Sequence, residues 1–359
     1  MPSYLGGHWR DRRLKTGGGT PRRAPRRSGL QSRVVKPNIL VTGGAGYIGS
    51  HTVRLLLRQG YGVTVVDNLS RGHRHNVDAE RLRMVDLADT ERLGRVFAER
   101  AFAAVIHFAA YIAVGESMRV PELYFANNVG GSLSLLTAMV RAGVKHMVFS
   151  STAAVYGMPA AVPIREDSPY APVSPYGDSK VMVERLLHWF DEIHGLRSIS
   201  LRYFNASGAD AESGLGEEHE PETHLIPLLF RAILTGKPAT IFGDDYPTPD
   251  GTCIRDYIHV NDLAQAHILA VESLLAGGRS DAFNVGTGSG YSVREVVSAV
   301  EDVTGKKVPY VVGPRREGDP AELVADSTKL RHTLNWTPRD PALRDIVSSA
   351  WNFERKRGS

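Results

Sequence analysis

Cysteine is nearly absent from this chain, since Cys253 is the single one among 359 residues. One thiol excludes an intrachain disulfide and a cysteine-based zinc cluster. Long apolar runs are absent as well, and none approaches the ~18 uninterrupted residues that a membrane span needs. The N-terminal residues also lack the apolar core of a secretory signal. We therefore expect a cytoplasmic protein with no membrane partner.

Acidic residues are scarce in residues 1–36, which hold ten lysines and arginines but only Asp11. This segment carries a net charge of +9, and because the whole chain carries +4, the remaining chain is at −5. The segment is rich in Gly, Pro and Arg and has no apolar periodicity, so it buries too little area to offset its ordering entropy. We predict a disordered basic extension without a role in the fold, with a transit peptide or a misassigned start codon as alternative interpretations. The mildly acidic body predicts no nucleic-acid partner.

A glycine loop follows the first apolar strand of the body. Residues 38–42 predict a buried parallel strand, and Gly43, Gly46 and Gly49 then give the G-x-x-G-x-x-G form of a dinucleotide-binding loop. Such a loop lets the backbone approach a pyrophosphate at the N-terminus of the next helix. Strand, loop and helix in this order indicate a dinucleotide site, whereas the glycines alone indicate only a tight turn.

The choice of dinucleotide depends on Asp67, which ends the second predicted strand, 62–66. A carboxylate about 20 residues after the glycine loop holds the adenosine ribose hydroxyls and repels a 2′-phosphate. Arg71 lies close behind in the sequence and weakens this preference. We predict NAD as the cofactor.

Strands and helices alternate along the rest of the chain. Strands are predicted at 82–87, where Asp86 reaches the adenine, at 103–110 and at 147–152, with a helix at about 120–142. This alternation predicts an α/β fold: a Rossmann-type doubly wound parallel sheet with a smaller α/β lobe. The cofactor domain spans 37–205 with strand returns near 257–285, and the substrate lobe spans 206–256 and 286–355. Ligands bind beyond the carboxyl ends of such strands.

Two candidate catalytic residues share a helix predicted at 174–194. Ser174 suits its N-cap, Pro175 its first position and Gly195 its end. Its inward face holds Tyr176, Lys180, Val183, Leu187 and Phe190. A lysine one turn from a tyrosine favours the phenolate and so suits proton transfer. The alternative is a snorkelling lysine beside a packed tyrosine.

Thr152 is the third catalytic candidate, because its hydroxyl ends a predicted strand shortly before Tyr176. There it can hydrogen-bond a reacting substrate oxygen, although a threonine that only caps its strand is the alternative. His107 is interpreted as a packed residue at a strand end. No group of His, Asp and Glu shows metal-ligand spacing, so we predict no metal.

The chain resembles the extended short-chain dehydrogenase/reductase family over residues 37–355. The segments that carry the resemblance are 41–51, 67–69, 107–110, 114–117, 127–129, 149–157, 176–180, 202–205, 241–252, 255–260 and 315–319. The resemblance implies a homodimer through the helices near 120–142 and 174–194. It also implies interconversion of UDP-glucose and UDP-galactose in galactose metabolism, through oxidation at C4 and reduction on the opposite face.

The resemblance also implies roles for individual residues. The NAD site would consist of Gly43, Gly46, Tyr47, Ile48, Gly49, Asp67, Asn68, Asp86, Leu87, Phe108, Ala109, Asn127, Tyr176, Lys180 and Tyr203. Thr152 and Tyr176 would meet the sugar 4-hydroxyl. The rest of the UDP-sugar would be held by Asn205, His224, Leu225, Phe242, Arg255, Arg316 and Asp319. Chemically, two arginines suit a pyrophosphate and an aromatic ring suits uracil.

Three departures from the family pattern bear on these roles. Ile112 stands where some members have a lysine that reaches the cofactor, and His224 stands where many have an asparagine on the substrate. Leu323 stands where enzymes strict for glucose and galactose have a tyrosine, so UDP-N-acetylhexosamines are candidate substrates.

Ala153 and Ala154 occupy the places where 4,6-dehydratases need an acid/base pair. The alternatives that stay open are a 4-epimerase of UDP-pentoses or UDP-uronates and a non-enzymatic NAD-binding protein on the same fold.

Overall fold

Strands and helices alternate through residues 36–316 and 318–357, the part of the chain that the structure, a computed structural model, describes. The strands are β1 (Asn38–Thr42), β2 (Gly62–Asp67), β3 (Leu82–Met84), β4 (Ala104–His107), β5 (His146–Thr152), β6 (Arg197–Tyr203), β7 (Asn205–Ser207), β8 (Ala239–Phe242), β9 (Ile254–His259), β10 (Asp281–Val285), β11 (Gly290–Ser292), β12 (Tyr310–Gly313) and β13 (Glu322–Leu323). The helices are α1 (Tyr47–Arg58), α2 (Thr90–Glu99), α3 (Val114–Ser117), α4 (Pro121–Tyr124), α5 (Gly131–Ala142), α6 (Pro175–His194), α7 (Leu225–Thr235), α8 (Val260–Leu275), α9 (Val293–Thr304), α10 (Thr328–Leu334) and α11 (Leu343–Arg357). The predicted extension over residues 1–36 lies outside the described residues, apart from Lys36.

The central sheet has seven parallel strands in the order β3-β2-β1-β4-β5-β6-β10. The strand order reverses between β1 and β4, which makes this the switch point where ligands bind in open α/β sheets. The predicted Rossmann-type doubly wound parallel sheet is confirmed.

Both faces of this sheet are buried, as near-continuous apolar strands require. Successive residues of β1 point to opposite faces: Ile39 and Val41 join one core cluster and Leu40 joins the other. The first cluster includes residues of α1 and α8, and the second includes residues of α5 and α6. The helices therefore cover the sheet on both sides and leave its carboxyl edge open for ligands.

A smaller β structure follows the seven-stranded sheet. Strand β9 pairs with β7, β11 and β13, while β8 pairs with β12. The structure thus places residues 257–259 in β9, not in the large sheet as the predicted strand return would require, because β9 finds its backbone partners in β7, β11 and β13. The return to the large sheet consists of α8, which packs on it, and β10. Residues 35–359 cluster as one unit, and the domain boundaries stay a prediction.

Helix α6 begins and ends as its sequence predicts. The Ser174 hydroxyl accepts a hydrogen bond from the Gly177 backbone N–H at 3.2 Å, and Pro175 fills the first helical position. Gly195 ends the helix in the left-handed conformation with φ 61°. The helix predicted at about 120–142 is interrupted, since a π-helical segment, Phe125–Gly130, lies between α4 and α5.

No helix in the described ranges combines the length and the apolar character that crossing a bilayer requires.

A buried ion pair fixes α6 against the sheet. The Arg202 guanidinium of β6 donates to the Glu184 carboxylate of α6 at 2.6 Å, and both side chains are about 5% exposed. The hydroxyls of Ser151 and Tyr170 donate to the two oxygens of the same carboxylate at 2.5 and 2.6 Å. Because Glu184, Arg202 and Ser151 are buried, loss of one of them leaves another buried and unsatisfied.

The variant Glu184→Gln is expected to lower the free energy of unfolding by about 3 kcal/mol, because it leaves the Arg202 charge buried without a counter-charge. Urea unfolding followed by circular dichroism measures this change. Glu91→Gln serves as the control, since Glu91 pairs with Arg95 on the surface and both side chains are mostly exposed. Its effect is expected to stay below about 0.5 kcal/mol. Equal effects of the two substitutions would contradict the role of the buried pair.

Candidate functional site

A cleft of about 450 Å³ lies along the carboxyl edge of the central sheet. Most of the predicted site residues line it: Gly43, Gly46, Tyr47, Ile48, Gly49, Asp67, Asn68, Asp86, Leu87, Phe108, Ala109, Asn127, Thr152, Tyr176, Tyr203, Asn205, His224 and Arg255. The volume of the cleft and its lining residues suit a large polar ligand that the protein mostly encloses. Lys180, Leu225, Phe242, Arg316 and Asp319 are not among the lining residues.

Close backbone contacts explain why the loop has glycine at two of its three glycine positions. Gly43 has φ +69°, and a Cβ there would lie 2.5 Å from the Ala109 backbone nitrogen. A Cβ at Gly49 would lie 2.2 Å from the Gly43 carbonyl oxygen. Gly46 is different, because its Cβ would lie 3.4 Å from that oxygen, at an ordinary contact distance. The fold thus requires Gly43 and Gly49, whereas Gly46 leaves room beside the N-terminus of α1 where a phosphate is favoured.

Asp67 anchors the loop from the end of β2. One of its oxygens accepts from the Ala45 backbone N–H at 2.9 Å and the other from the Leu69 N–H at 2.8 Å. Burial raises the pKa of this carboxyl, and the two backbone hydrogen bonds oppose the shift. Each oxygen keeps one lone pair that can accept from a ribose hydroxyl.

Arg71 does not offset the preference of Asp67 for NAD. Its guanidinium donates to both oxygens of Glu116 at 2.9 and 3.0 Å and lies 5.3 Å from the centre of the Tyr111 ring. Its charge is therefore compensated by a carboxylate of the chain itself. This arrangement favours a ribose with free hydroxyls over one with a 2′-phosphate.

Asn68 and Asp86 form the next part of the cleft wall. The Asn68 amide donates to Asp86 at 2.8 Å, and the other Asp86 oxygen accepts from the Ala88 backbone N–H at 2.8 Å. These bonds fix both side chains before any ligand binds. Asn127 lies in the π-helical segment and donates to the neighbouring Asn128 at 2.9 Å.

Thr152 and Tyr176 meet in the cleft, as predicted. Thr152 ends β5 and its hydroxyl accepts from the Ala154 backbone N–H at 3.2 Å. Burial raises the pKa of the Tyr176 phenol, and a hydrogen bond with Thr152 opposes this shift without reversing it. The expectation of a lowered phenol pKa is therefore not met by the protein alone, because desolvation of the phenolate is the larger effect.

Lys180 lies behind Tyr176 and is buried. Its ammonium donates to the Ser150 carbonyl oxygen at 2.8 Å and lies 6.0 Å from the centre of the Tyr176 ring. Burial lowers its pKa to about 7, against the opposing charge of Glu184. Lys180 is thus not a snorkelling surface lysine: its ammonium bonds a backbone carbonyl oxygen, and burial brings its pKa close to neutral pH.

Tyr203 and His107 flank this centre with different surroundings. Tyr203 shares a short hydrogen bond with the Ser150 hydroxyl, and burial raises the pKa of its phenol. The His107 ring bonds Thr42 at 2.6 Å and Ser132 at 2.8 Å, and burial lowers its pKa to about 3. A neutral imidazole with both nitrogens engaged agrees with the interpretation of His107 as a packed residue.

Four of the seven residues predicted to hold the UDP-sugar form two contacting pairs. The Arg255 guanidinium donates to Asp319 at 2.5 Å and to the Pro320 carbonyl oxygen at 2.7 Å. The Arg316 guanidinium lies 4.1 Å from the centre of the Phe242 ring. Of these four residues only Arg255 lines the cleft. Leu225 begins α7 and packs against the core of the smaller lobe.

Four side chains between β7 and α7 meet in a way that the sequence analysis missed. They are Glu217, His219, Glu222 and His224, and their ligand atoms all lie within 4.8 Å of one another. Burial lowers the pKa of the His224 imidazole, but Glu217 and Glu222 outweigh it and raise that pKa to about 10. The signal was present in the sequence as two histidines and four glutamates within eight residues, 217–224.

Comparison with known proteins identifies the family of this chain. The sequence model of the NAD dependent epimerase/dehydratase family matches residues 39–286. The chain belongs to this family. A curated UDP-glucose 4-epimerase of Halalkalibacterium halodurans is 49% identical over 319 residues, which are 89% of this chain and 96% of that protein.

Solved structures of the family agree with the fold. The UDP-glucose 4-epimerase of Brucella ovis in complex with NAD superposes with a TM-score of 0.86 at 47% identity, covering 88% of this chain and 98% of that chain. The UDP-glucose 4-epimerase of Bifidobacterium longum in complex with NAD⁺ and UDP has a TM-score of 0.84 at 39% identity, covering 89% and 99%. Membership of an NAD dependent family confirms NAD as the predicted cofactor. The glycine loop fits this cofactor.

The variant Gly46→Ala is expected to weaken NAD binding at least about tenfold, or about 1.4 kcal/mol, while the fold stays intact. Gly46 has φ −79°, which any residue adopts, so the new methyl group interferes with the ligand and not with the backbone. NAD released from denatured protein and a thermal melt measure the two effects. The control is Gly94→Ala in α2, where an added Cβ meets nothing within 4 Å. A Gly46→Ala protein with full NAD content would contradict this use of the loop.

Proposed function

We propose that the protein interconverts UDP-glucose and UDP-galactose by NAD-dependent epimerisation at C4 of the sugar. The observation that carries the proposal is the meeting of Thr152 and Tyr176 in one cleft with the glycine loop. Similarity to UDP-glucose 4-epimerases over nearly the whole body of the chain supports the same activity. When bound, NAD supplies the group that accepts a hydride from C4 and returns it.

Tyr176 acts in this proposal as the proton carrier. Its phenolate oxygen takes the proton from the sugar 4-hydroxyl, and the Thr152 hydroxyl orients that hydroxyl and shares the proton. The same phenol returns the proton after the keto sugar has turned over in the cleft. Burial of Tyr176 holds the proton on the phenol in the absence of ligands, so a positive charge near the phenol is needed to start the cycle.

Lys180 supplies part of that charge from behind. Its ammonium donates to the Ser150 carbonyl oxygen at 2.8 Å, and Lys180 lies one helix turn after Tyr176. A pKa of about 7 keeps a substantial fraction of Lys180 protonated at neutral pH. We assign Lys180 the role of stabilising the phenolate through space, together with a contact to the cofactor.

The UDP part of the substrate is assigned to the second group of predicted residues. Arg255 carries the pyrophosphate charge because it is the arginine of that group on the cleft wall. When a phosphate binds, Arg255 has to weaken its hydrogen bond to Asp319 or donate to both groups. Donation to both is possible because a guanidinium has five N–H donors. Asn205, His224, Leu225, Phe242, Arg316 and Asp319 complete the UDP-sugar site in this proposal.

Dehydration is disfavoured even though the family includes dehydratases. Ala153 and Ala154 line the cleft directly after Thr152, in a short 3₁₀ turn. A methyl group at either place neither gives nor takes a proton, so the elimination that dehydratases perform has no acid/base pair. Epimerisation needs only the Tyr176 proton.

We also propose a homodimer in which helices α5 and α6 of two copies pack together. Leu133 on α5 and Trp189 and Ile193 on α6 are exposed large apolar side chains. Such side chains in water favour an interface. A cytoplasmic location and the absence of nucleic-acid and membrane partners stay predictions.

The variant Tyr176→Phe is expected to slow turnover of UDP-galactose by about 10²- to 10⁴-fold, because it removes the proton carrier. Its NAD content is expected to stay at the wild-type level, since the ring that packs in the cleft is unchanged. A coupled assay for UDP-glucose and quantitation of released NAD give the two values. Tyr310→Phe, an exposed phenol on β12, is the control. Turnover near the wild-type rate would remove Tyr176 from the mechanism.

Leu323 favours a wider sugar range as a second candidate function. It lines the cleft on β13, in register with Arg255 of β9. A leucine leaves more room beside the sugar than a tyrosine would.

We expect the wild type to convert UDP-GlcNAc, and Leu323→Tyr to lose that activity while it keeps UDP-galactose turnover within about threefold. The assay compares UDP-galactose, UDP-GlcNAc and UDP-xylose at equal concentrations. Leu234→Tyr, at an exposed position of α7, is the matched control. A wild type that turns over UDP-galactose but not UDP-GlcNAc would exclude the wider range. Turnover of UDP-xylose alone would instead favour a pentose epimerase, and NAD binding without any turnover a non-enzymatic protein.

A further inference from the structure

The segment between β7 and α7 gathers four side chains with metal-binding atoms at one point. The Glu217 carboxylate lies 3.0 Å from His219 Nδ1 and 2.7 Å from His224 Nδ1. Glu222 completes the group, with one oxygen 3.2 Å from His224 Nδ1 and the other 3.9 Å from His219 Nδ1. Neither the epimerase chemistry nor the UDP-sugar contacts require this arrangement.

These distances are similar to the spacing between ligand atoms around a metal ion. Zinc binds imidazole nitrogen and carboxylate oxygen at about 2.0–2.2 Å, so neighbouring ligand atoms around one zinc ion lie roughly 3.3–3.6 Å apart. The nitrogen–oxygen separations run from 2.7 to 3.9 Å, and one ligand atom from each residue can be chosen so that all four atoms lie within 4.8 Å of one another. Small side-chain movements would therefore place all four atoms at bonding distance from one central ion.

The charges of the group also call for a cation. The carboxylates of Glu217 and Glu222 are only 8% and 7% exposed, so water compensates little of their charge. A proton on His224 leaves the group with a net charge of −1, whereas two neutral imidazoles and one divalent ion bring it to zero, which two buried carboxylates favour. We propose that Glu217, His219, Glu222 and His224 bind one zinc ion.

The surroundings already hold the ligands in place, as outer partners do at metal sites. One oxygen of Glu222 accepts from the backbone N–H groups of Thr223 and His224 at 2.6 and 2.7 Å. The His219 ring packs edge-on against Tyr47, with 6.3 Å between ring centres. Because Tyr47 lies within the glycine loop, between Gly46 and Gly49, the zinc ion would fix residues 217–224 beside the cofactor cleft.

One consequence rests on the proposed function, whereas zinc binding itself does not. A metal on Nδ1 of His224 fixes the remaining ring proton on Nε2, which points away from the cluster. His224 lines the cleft, so this N–H is a permanent donor toward the substrate. The cluster thereby gives a histidine the donor role that an asparagine has elsewhere in the family.

The test uses the full-length protein as purified, with its NAD, after treatment with a chelator. Titration with Zn²⁺ against a chromophoric chelator is expected to give one tight site per chain. His219→Asn and Glu222→Gln are each expected to weaken that site at least about tenfold, because they remove a ligand. His75→Asn is the matched control, since His75 pairs with Glu218 beside the cluster but outside it. Its affinity is expected to equal that of the wild type.

Cobalt gives a second measurement that needs no variant to fold. Co²⁺ added to the chelator-treated wild type is expected to produce the strong visible bands of four-coordinate cobalt, and one equivalent of Zn²⁺ is expected to abolish them. Weak six-coordinate bands, or zinc affinities that are the same in the wild type and the two folded variants, would overturn the proposal. Both readouts are independent of turnover, so they stand apart from the test of Tyr176.

Discussion

The salt bridge between Glu184 and Arg202 is the interaction on which the rest of the site depends. It joins α6 to β6, and the Ser151 hydroxyl extends it to β5. Lys180 lies one turn before Glu184 on the same helix, so the position of its ammonium follows from this pair. The carboxylate also supports the charge of Lys180 against burial. The ion pair and the proposed catalytic lysine thus share one electrostatic environment, so a change in one affects the other.

Burial at this site works in two directions at once. It raises the pKa of the Tyr176 phenol and lowers that of the Lys180 ammonium, so it opposes the charged form of both groups before ligands bind. The protonation states of Tyr176 and Lys180 are therefore sensitive to a nearby charge. A cationic ligand group near the phenol lowers the pKa of both groups. Such coupling suits a reaction in which one proton has to leave and return without a net change.

The sequence was sufficient where local rules decide the outcome. Ser174, Pro175 and Gly195 bound α6 by capping chemistry alone, and the glycine spacing gave the loop because only glycine fits two of its positions. It was insufficient where partners lie far apart in the chain. The placement of β9 depends on backbone partners in three other strands, and the pairing of Arg255 with Asp319 spans 64 residues. Neither has a periodic pattern that a reading along the chain detects.

The shift of the phenol pKa and the glutamate–histidine cluster were missed for a common reason. Both depend on how much water is excluded, and a sequence records charge but not desolvation. Two glutamates and two histidines on an exposed loop would be ordinary solvated side chains. The same residues against Tyr47 are a site that needs a compensating charge. Because this cluster adjoins the glycine loop and includes a residue of the cleft wall, whatever occupies it also constrains the ligand cleft.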